Sequence, residues 1–152
     1  MSFISRTLAK TLSRDALQFP VVVLTGPRQT GKTTLLKRIF VQHPYVTLDD
    51  PARRSLALRD PGLFLDAYPT GALIDEIQYA PGLLPFIKMK VDSAHKKTPG
   101  SWVLTGSQVF PLMQGLSESL AGRAAVHELL PFSMEELGEN GLDVGKTFRR
   151  IY

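Results

Sequence analysis

Cysteine is absent from the 152 residues. Disulfides, thiolate metal sites and a cysteine nucleophile are therefore excluded. The lack fits a reducing compartment, and a cytoplasmic protein is expected. No apolar run approaches the roughly 18 residues that a helix needs to cross a bilayer, so no membrane partner is expected. Internal repeats and low-complexity segments are missing too. His43, His95 and His127 are scattered without metal-ligand spacing and read as structural. Neither sign of charge dominates: 18 Lys and Arg stand against 14 Asp and Glu, for a net charge of +4. That excess weakly favours anionic partners, and a nucleic-acid partner has no better support than this.

What remains is the composition of a globular chain, 43% hydrophobic and 21% charged, with room for one domain and a real core. The first residues, "MSFISRTLAKTLSRD", carry Arg6, Lys10 and Arg14 with serines and no acid before Asp15, superficially like a transit peptide. The better reading is a short helix packed on the domain, because Leu8, Leu12 and Ala16 recur every four residues.

Further on, apolar runs alternate with helical patterns. "FPVVVLTG" is continuously apolar, as a strand buried on both faces of a parallel sheet must be. "KTTLLKRIFVQH" is then a helix burying Leu35, Leu36, Ile39 and Phe40, and "YVTLDD" a second strand. Two helical segments starting at proline, "PARRSLALRD" and "PGLFLDAYP", precede a third strand, "GALIDEIQ". A helix from about Gly82 to His95 is expected to turn Leu83, Leu84, Phe86, Ile87 and Val91 inward. "SWVLTGSQ" is a fourth strand, "PLMQGLSESLAGR" a helix up to Gly122, and "AAVHELLPF" a fifth strand. Ser133 and Glu136 have capping-box spacing and mark a last helix start. This order argues a three-layer α/β domain with a mainly parallel, five-stranded sheet.

The residues Gly26, Pro27, Arg28, Gln29, Thr30, Gly31, Lys32 and Thr33 match G-x-x-x-x-G-K-[ST] without a gap. The loop leaves a buried strand and opens a helix, so its N–H groups and the positive helix end face one point, where a phosphate can sit. Lys32 would reach the β- and γ-phosphates, Thr33 would ligate Mg²⁺, and Thr34 could add a phosphate hydrogen bond.

A phosphate loop alone does not say what happens to the phosphate. "LIDEIQ" adds Asp75 at the end of a buried strand, suited to support Mg²⁺, and Glu76 directly after it. Alternation along a strand would turn these carboxylates different ways unless the strand ends there. One can then hold the metal while the other orients and deprotonates a water. The forty or so residues and extra strand between the motifs match P-loop proteins with an additional strand and a catalytic glutamate. GTPases read guanine with N-K-x-D, and the only asparagine, Asn140, begins "NGLD", so ATP is favoured. If the fourth strand lies between the motif strands, Thr105, Ser107 or Gln108 would approach the γ-phosphate. A nucleophile elbow is excluded there, because Thr105 and Val109 occupy the outer glycine positions of G-x-S-x-G. Arg123, between a helix and a strand, could stabilise the transferring phosphoryl group in cis or across a subunit boundary, or simply form a surface ion pair. Arg28 is open in the same way.

Taken together, "LTGPRQTGKTTLL", "LDDP" with "RDPGLFL", "LIDEIQYAPGLLPFIKMKVD", "LTGSQVFPLMQGLSESLAGR" and "ELLPFSMEEL" resemble the prokaryotic AAA-family ATPases in which a P-loop domain precedes a C-terminal domain of unknown function. The resemblance covers roughly residues 3 to 138. It implies ATP binding, an AAA-type core, Lys32 and Thr33 at the phosphates, Asp75 and Glu76 as paired acids, and Ser107 or Gln108 in a sensing position. It also implies that residues 1–138 are the ATPase domain and 139–152 a linker toward a missing C-terminal domain. The reading is thus Mg²⁺-dependent ATP hydrolysis coupled to a conformational change, with assembly into a homo-oligomer as a further expectation. A nucleotide-binding switch without turnover is the alternative. A small-molecule kinase is disfavoured by the adjacent acids and the lack of an arginine-rich lid.

Overall fold

In the computed structural model, residues 4–94, 98–107, 110–139 and 141 are described. Five strands form one sheet in the order β2-β3-β4-β1-β5, and every pairing is parallel. They are β1 (Val21–Thr25), β2 (Tyr45–Thr47), β3 (Leu73–Asp75), β4 (Trp102–Gly106) and β5 (Ala124–Glu128). Parallel neighbours need crossovers, and helices supply them. These are α2 (Lys32–Ile39), α3 (Pro51–Arg59), α4 (Pro61–Asp66), α5 (Leu83–Ser93) and α6 (Phe110–Leu120), with α1 (Leu8–Asp15) before the sheet and α7 (Met134–Glu139) after it.

β1 shows why the domain has three layers. All five of its residues are buried, and the four apolar ones serve two cores. Val21 and Val23 face Phe64, Leu83, Leu84, Ile87 and Leu116 from α4, α5 and α6. Val22 and Leu24 face Leu12, Leu35 and Leu36 from α1 and α2. The two-residue period of a strand sends alternate side chains to opposite faces, so a strand covered on both must be apolar throughout. Leu12 has no exposed surface, and its burial contributes about 2 kcal/mol toward docking α1.

Local chemistry sets several helix starts. Asp50 and Asp60 each accept hydrogen bonds from N–H groups of the first turn, with Pro51 and Pro61 at the first helical position. At α7 the capping box closes: Glu136 N–H donates to Ser133 Oγ and Ser133 N–H to Glu136 Oε2, both at 3.1 Å. Phe86 departs from expectation. It is 37% exposed, because Leu83, Leu84 and Ile87 define the buried face of α5 and Phe86 lies at its edge, alongside Gly62.

Gly26 directly follows β1 at φ +139°, and a Cβ there would lie 2.3 Å from the carbonyl oxygen of Leu129. That backbone follows β5 and is tied to Thr25 O by the Leu129 N–H at 2.8 Å, so it cannot yield cheaply. Gly26→Ala is expected to lower unfolding stability by roughly 2–3 kcal/mol, read as a reduced urea midpoint at unchanged slope.

Candidate nucleotide site

Parallel strands deliver all their C-terminal ends to one edge of the sheet, and the segments that follow β1, β3 and β4 meet there. The loop from Gly26 to Gly31 wraps before α2 with Gln29 and Gly31 at positive φ, 63° and 87°. Gly31 caps α2 without any side-chain hydrogen bond, which leaves the first-turn N–H groups available to an anion. A cleft of about 390 Å³ opens over it, lined by Arg28, Gln29, Gly31, Lys32, Thr33, Thr34, Asp49, Glu76 and Tyr79. That is within the usual range for small-ligand sites.

Lys32 is only 6% exposed. Its ammonium donates to the carbonyls of Gly26 at 3.0 Å and Pro27 at 2.6 Å. Burial pushes its pKa down, while Glu76 and Asp75 oppose that by favouring the charged form. Pro27 O also accepts from Thr30 Oγ1 at 3.0 Å, which folds the loop on itself.

The two motifs are joined at the base of the cleft. Thr33 Oγ1 donates to Asp75 Oδ2 at 2.9 Å. Asp75, 5% exposed, also accepts at Oδ2 from the Tyr45 phenol at 2.9 Å and at Oδ1 from Thr105 Oγ1. Burial and this bond to Asp75 push the Tyr45 phenol up to about 12, so it stays a proton donor. Lys37 covers the ring with its ammonium 3.4 Å from the centroid. A hydroxyl and a carboxylate held together in this way are a hard-oxygen set that fits Mg²⁺.

β3 ends at Asp75, and Glu76 takes a left-handed conformation, φ 60° and ψ 46°. That turn resolves the alternation problem: Asp75 stays under the cleft while Glu76 lines it. For a residue with a Cβ the conformation costs of order 1–3 kcal/mol, a strain typical of functional sites. Gln78, in the 3-10 turn Ile77–Tyr79, grips the result. Its amide nitrogen donates to Glu76 Oε2, and its carbonyl accepts from the Ser107 N–H at 3.2 Å.

β4 does lie between β3 and β1. Of its polar residues, Thr105 is fully buried behind the cleft and supports Asp75, so it does not approach a phosphate. Ser107 stands at the strand's end with its hydroxyl buried and without a hydrogen-bond partner among the described residues. Gln108 and His95 lie outside the described residues. Arg28 reaches the Tyr79 hydroxyl at 3.4 Å at the mouth of the cleft, and Arg54 lies 4.2 Å over the Tyr79 ring.

Arg123 is placed elsewhere. It precedes β5, whose Ala124 is level with Val21 at the start of β1, and its carbonyl accepts from the Val21 N–H. Four residues of strand, about 13 Å at ~3.3 Å per residue, separate that edge from the phosphate loop. Its guanidinium grips Asp92 through two bonds of 2.6 and 2.9 Å. Of the three roles open to it, this placement excludes reaching the cleft within one chain; the ion pair is what forms, and Arg123 holds the Asp92 carboxyl below its ordinary range.

His43 and His127 make structural contacts: His43 Nε2 lies 2.7 Å from Gly100 O, and His127 Nε2 lies 2.9 Å from Asp15 Oδ2. No cluster of His, Asp or Glu able to hold a metal by itself occurs among the described residues. No described helix is long and apolar enough to cross a membrane. Sequence reasoning missed Tyr45 and Gln78. The "DEIQ" spacing could have flagged Gln78, whereas nothing in "YVTLDD" says that the tyrosine reaches Asp75 on the neighbouring β3.

A parallel sheet in this order, with a glycine loop between its β1 and a helix and an acid at the end of its β3, defines the P-loop nucleoside-triphosphatase fold. The chain belongs to the AAA domain family, whose profile matches residues 18–138. It is 36% identical over 139 residues to uncharacterized proteins of Mycobacterium tuberculosis and Mycobacterium bovis. The match takes in 91% of this chain and 31% of each relative, so the chain spans about a third of their length. Among solved structures, the Walker-type ATPase PABY2304 of Pyrococcus abyssi is similar with a TM-score of 0.58 at 18% identity, over 93% of this chain and 60% of that one. AMPPCP-bound DnaA of Aquifex aeolicus gives 0.56 at 19%, over 93% and 54%. These likenesses concern the fold.

Proposed function

We propose that the chain binds ATP with Mg²⁺ in this cleft and hydrolyses it, with the reaction coupled to a conformational change. The observation that carries the reading is the 2.9 Å hydrogen bond from Thr33 to Asp75, which brings the phosphate-loop hydroxyl and the strand-end acid together beneath a cleft walled by Glu76. The same fold in DnaA of Aquifex aeolicus is AMPPCP-bound, in keeping with a triphosphate here.

In this reading the loop from Gly26 to Gly31 and the first turn of α2, including Thr34, hold the phosphates through N–H groups, and Lys32 adds a positive charge. Thr33 is the direct metal ligand, and Asp75 takes the metal's water shell. Bound there, Mg²⁺ would neutralise charge building on the phosphoryl oxygens. Glu76 orients the attacking water and accepts its proton. Ser107, with its unsatisfied hydroxyl at the end of β4, senses the γ-phosphate, a role assigned jointly with Gln108. Arg123 enters only across a subunit boundary, from a second copy, because its own cleft is out of reach. Residues 139–152 fit a linker toward a further domain, consistent with the longer relatives.

Phosphate release from ATP, measured with Mg²⁺ and again with EDTA, tests the proposal. Release that needs Mg²⁺ supports it. Tight ATP binding without release would favour the switch reading, and no binding at all would overturn both.

A further inference from the structure

Arg6 lies twelve residues before the matched family segment begins, in a stretch with no recognisable motif, yet only 6% of it is exposed. A buried guanidinium is costly unless it is well hydrogen-bonded, and here each of its three nitrogens has an acceptor. Nε donates to Glu136 Oε1 at 3.1 Å, one terminal nitrogen to Leu130 O at 2.5 Å, and the other to Thr30 O at 3.1 Å. The Phe132 ring closes one face, with its centroid 4.2 Å from the guanidinium carbon. Glu136 is fixed in turn by the N–H groups of Thr7 at 3.0 Å and Ser133 at 3.1 Å. Burial alone would raise the Glu136 carboxyl, but these two N–H donors and Arg6 outweigh it and hold it below its ordinary value.

The bond to Thr30 has a consequence for the phosphate loop. A trans peptide is planar, so its C=O and N–H point in opposite directions. No cis bond occurs among the described residues, and the carbonyl of Thr30 shares its peptide with the N–H of Gly31. Arg6 holds that carbonyl from the side away from the cleft, which Gly31 lines and Arg6 does not. The Gly31 N–H is thereby turned toward the cleft. Without the arginine the Thr30 carbonyl loses the donor that fixes it, and Gly31, which tolerates either sign of φ, offers little resistance to a turn of this peptide.

The geometry points to Arg6 as a positioning residue of the phosphate site: locked by Glu136 of α7, it pre-orients the Thr30–Gly31 peptide so that the Gly31 N–H is ready to meet a phosphate oxygen. This rests on the reading that the cleft takes nucleotide phosphates. It makes the site depend on α7, the element that follows the sheet, as well as on the phosphate loop itself. The guanidinium shape matters as much as its charge, because three separate nitrogens each reach a different acceptor, a spread that a single ammonium nitrogen does not reproduce. Arg6→Lys keeps the charge and loses the fork.

The test compares wild type, Arg6→Lys, Glu136→Gln and Lys32→Ala, all well below their melting temperatures. Mg-ADP affinity is measured by calorimetry, and the Gly31 amide is followed in ¹H–¹⁵N spectra. In wild type, Mg-ADP should move the Gly31 amide proton downfield. In Arg6→Lys the affinity should fall roughly 10-fold or more, and in the ADP-saturated protein the Gly31 displacement should shrink to under half. Glu136→Gln should change both in the same direction by less, and it carries the comparison if Arg6→Lys does not fold. Wild-type affinity in both variants overturns the inference. So does a weaker affinity with an undiminished Gly31 displacement, since a merely structural arginine would give that. If Lys32→Ala binds as wild type does, or ADP leaves the wild-type Gly31 amide unmoved, the nucleotide reading itself has failed.

Discussion

Lys32→Ala is expected to raise the dissociation constant for ATP at least 100-fold while leaving the fold intact. The ammonium is the sole cation buried inside the loop among the described residues, and it already rests on two loop carbonyls, Gly26 O and Pro27 O. A phosphate entering the cleft meets that charge in a place screened from water, where a charge-assisted hydrogen bond is worth about 1.5–3 kcal/mol or more. Two such bonds account for a factor of about 100 or greater. The side chain's removal also takes the ammonium from Gly26 O and leaves Pro27 O with the Thr30 hydroxyl alone, so the empty loop loses part of its own scaffold. Calorimetric titration with ATP, on protein whose far-ultraviolet circular dichroism matches wild type, reads the effect. Unchanged affinity would place the phosphates elsewhere.

Glu76→Gln separates holding from hydrolysis. The substitution preserves size, the left-handed backbone and a hydrogen bond with Gln78, and it removes the ability to take a proton. ATP affinity should therefore stay within roughly threefold, while phosphate release slows by about 10²–10⁴-fold, the range spanned by a lost general base. Single-turnover phosphate release under saturating Mg²⁺ measures chemistry free of product dissociation. If Glu76→Gln turns over at the wild-type rate, the base is another group and the strained turn at Glu76 needs another explanation.

Much of the fold was legible in the chain because its signals are local. The apolar run of β1, the prolines that open α3 and α4, the glycine loop and the capping box at Ser133 each rest on neighbours a few residues apart. Strand limits were less legible: "GALIDEIQ" reads as one strand, but pairing ends at Asp75, where the backbone turns left-handed and starts a 3-10 turn. Phe86 is exposed although apolar, because its character says nothing of which side of α5 another helix covers. Arg123 was open between three roles until strand register placed it at the other end of the sheet.

By itself, the sequence determined the layered parallel architecture and the presence of a phosphate loop with a distant pair of acids. Only the tertiary structure decided which hydroxyls hold Asp75, that Gln78 spans Glu76 and Ser107, that Arg123 turns away, and that Arg6 and Glu136, 130 residues apart, meet behind the loop. The physical reason is range. Backbone periodicity, caps and glycine turns are set by interactions within a few residues, whereas a hydrogen bond between distant segments depends on register and packing that the whole core must first establish.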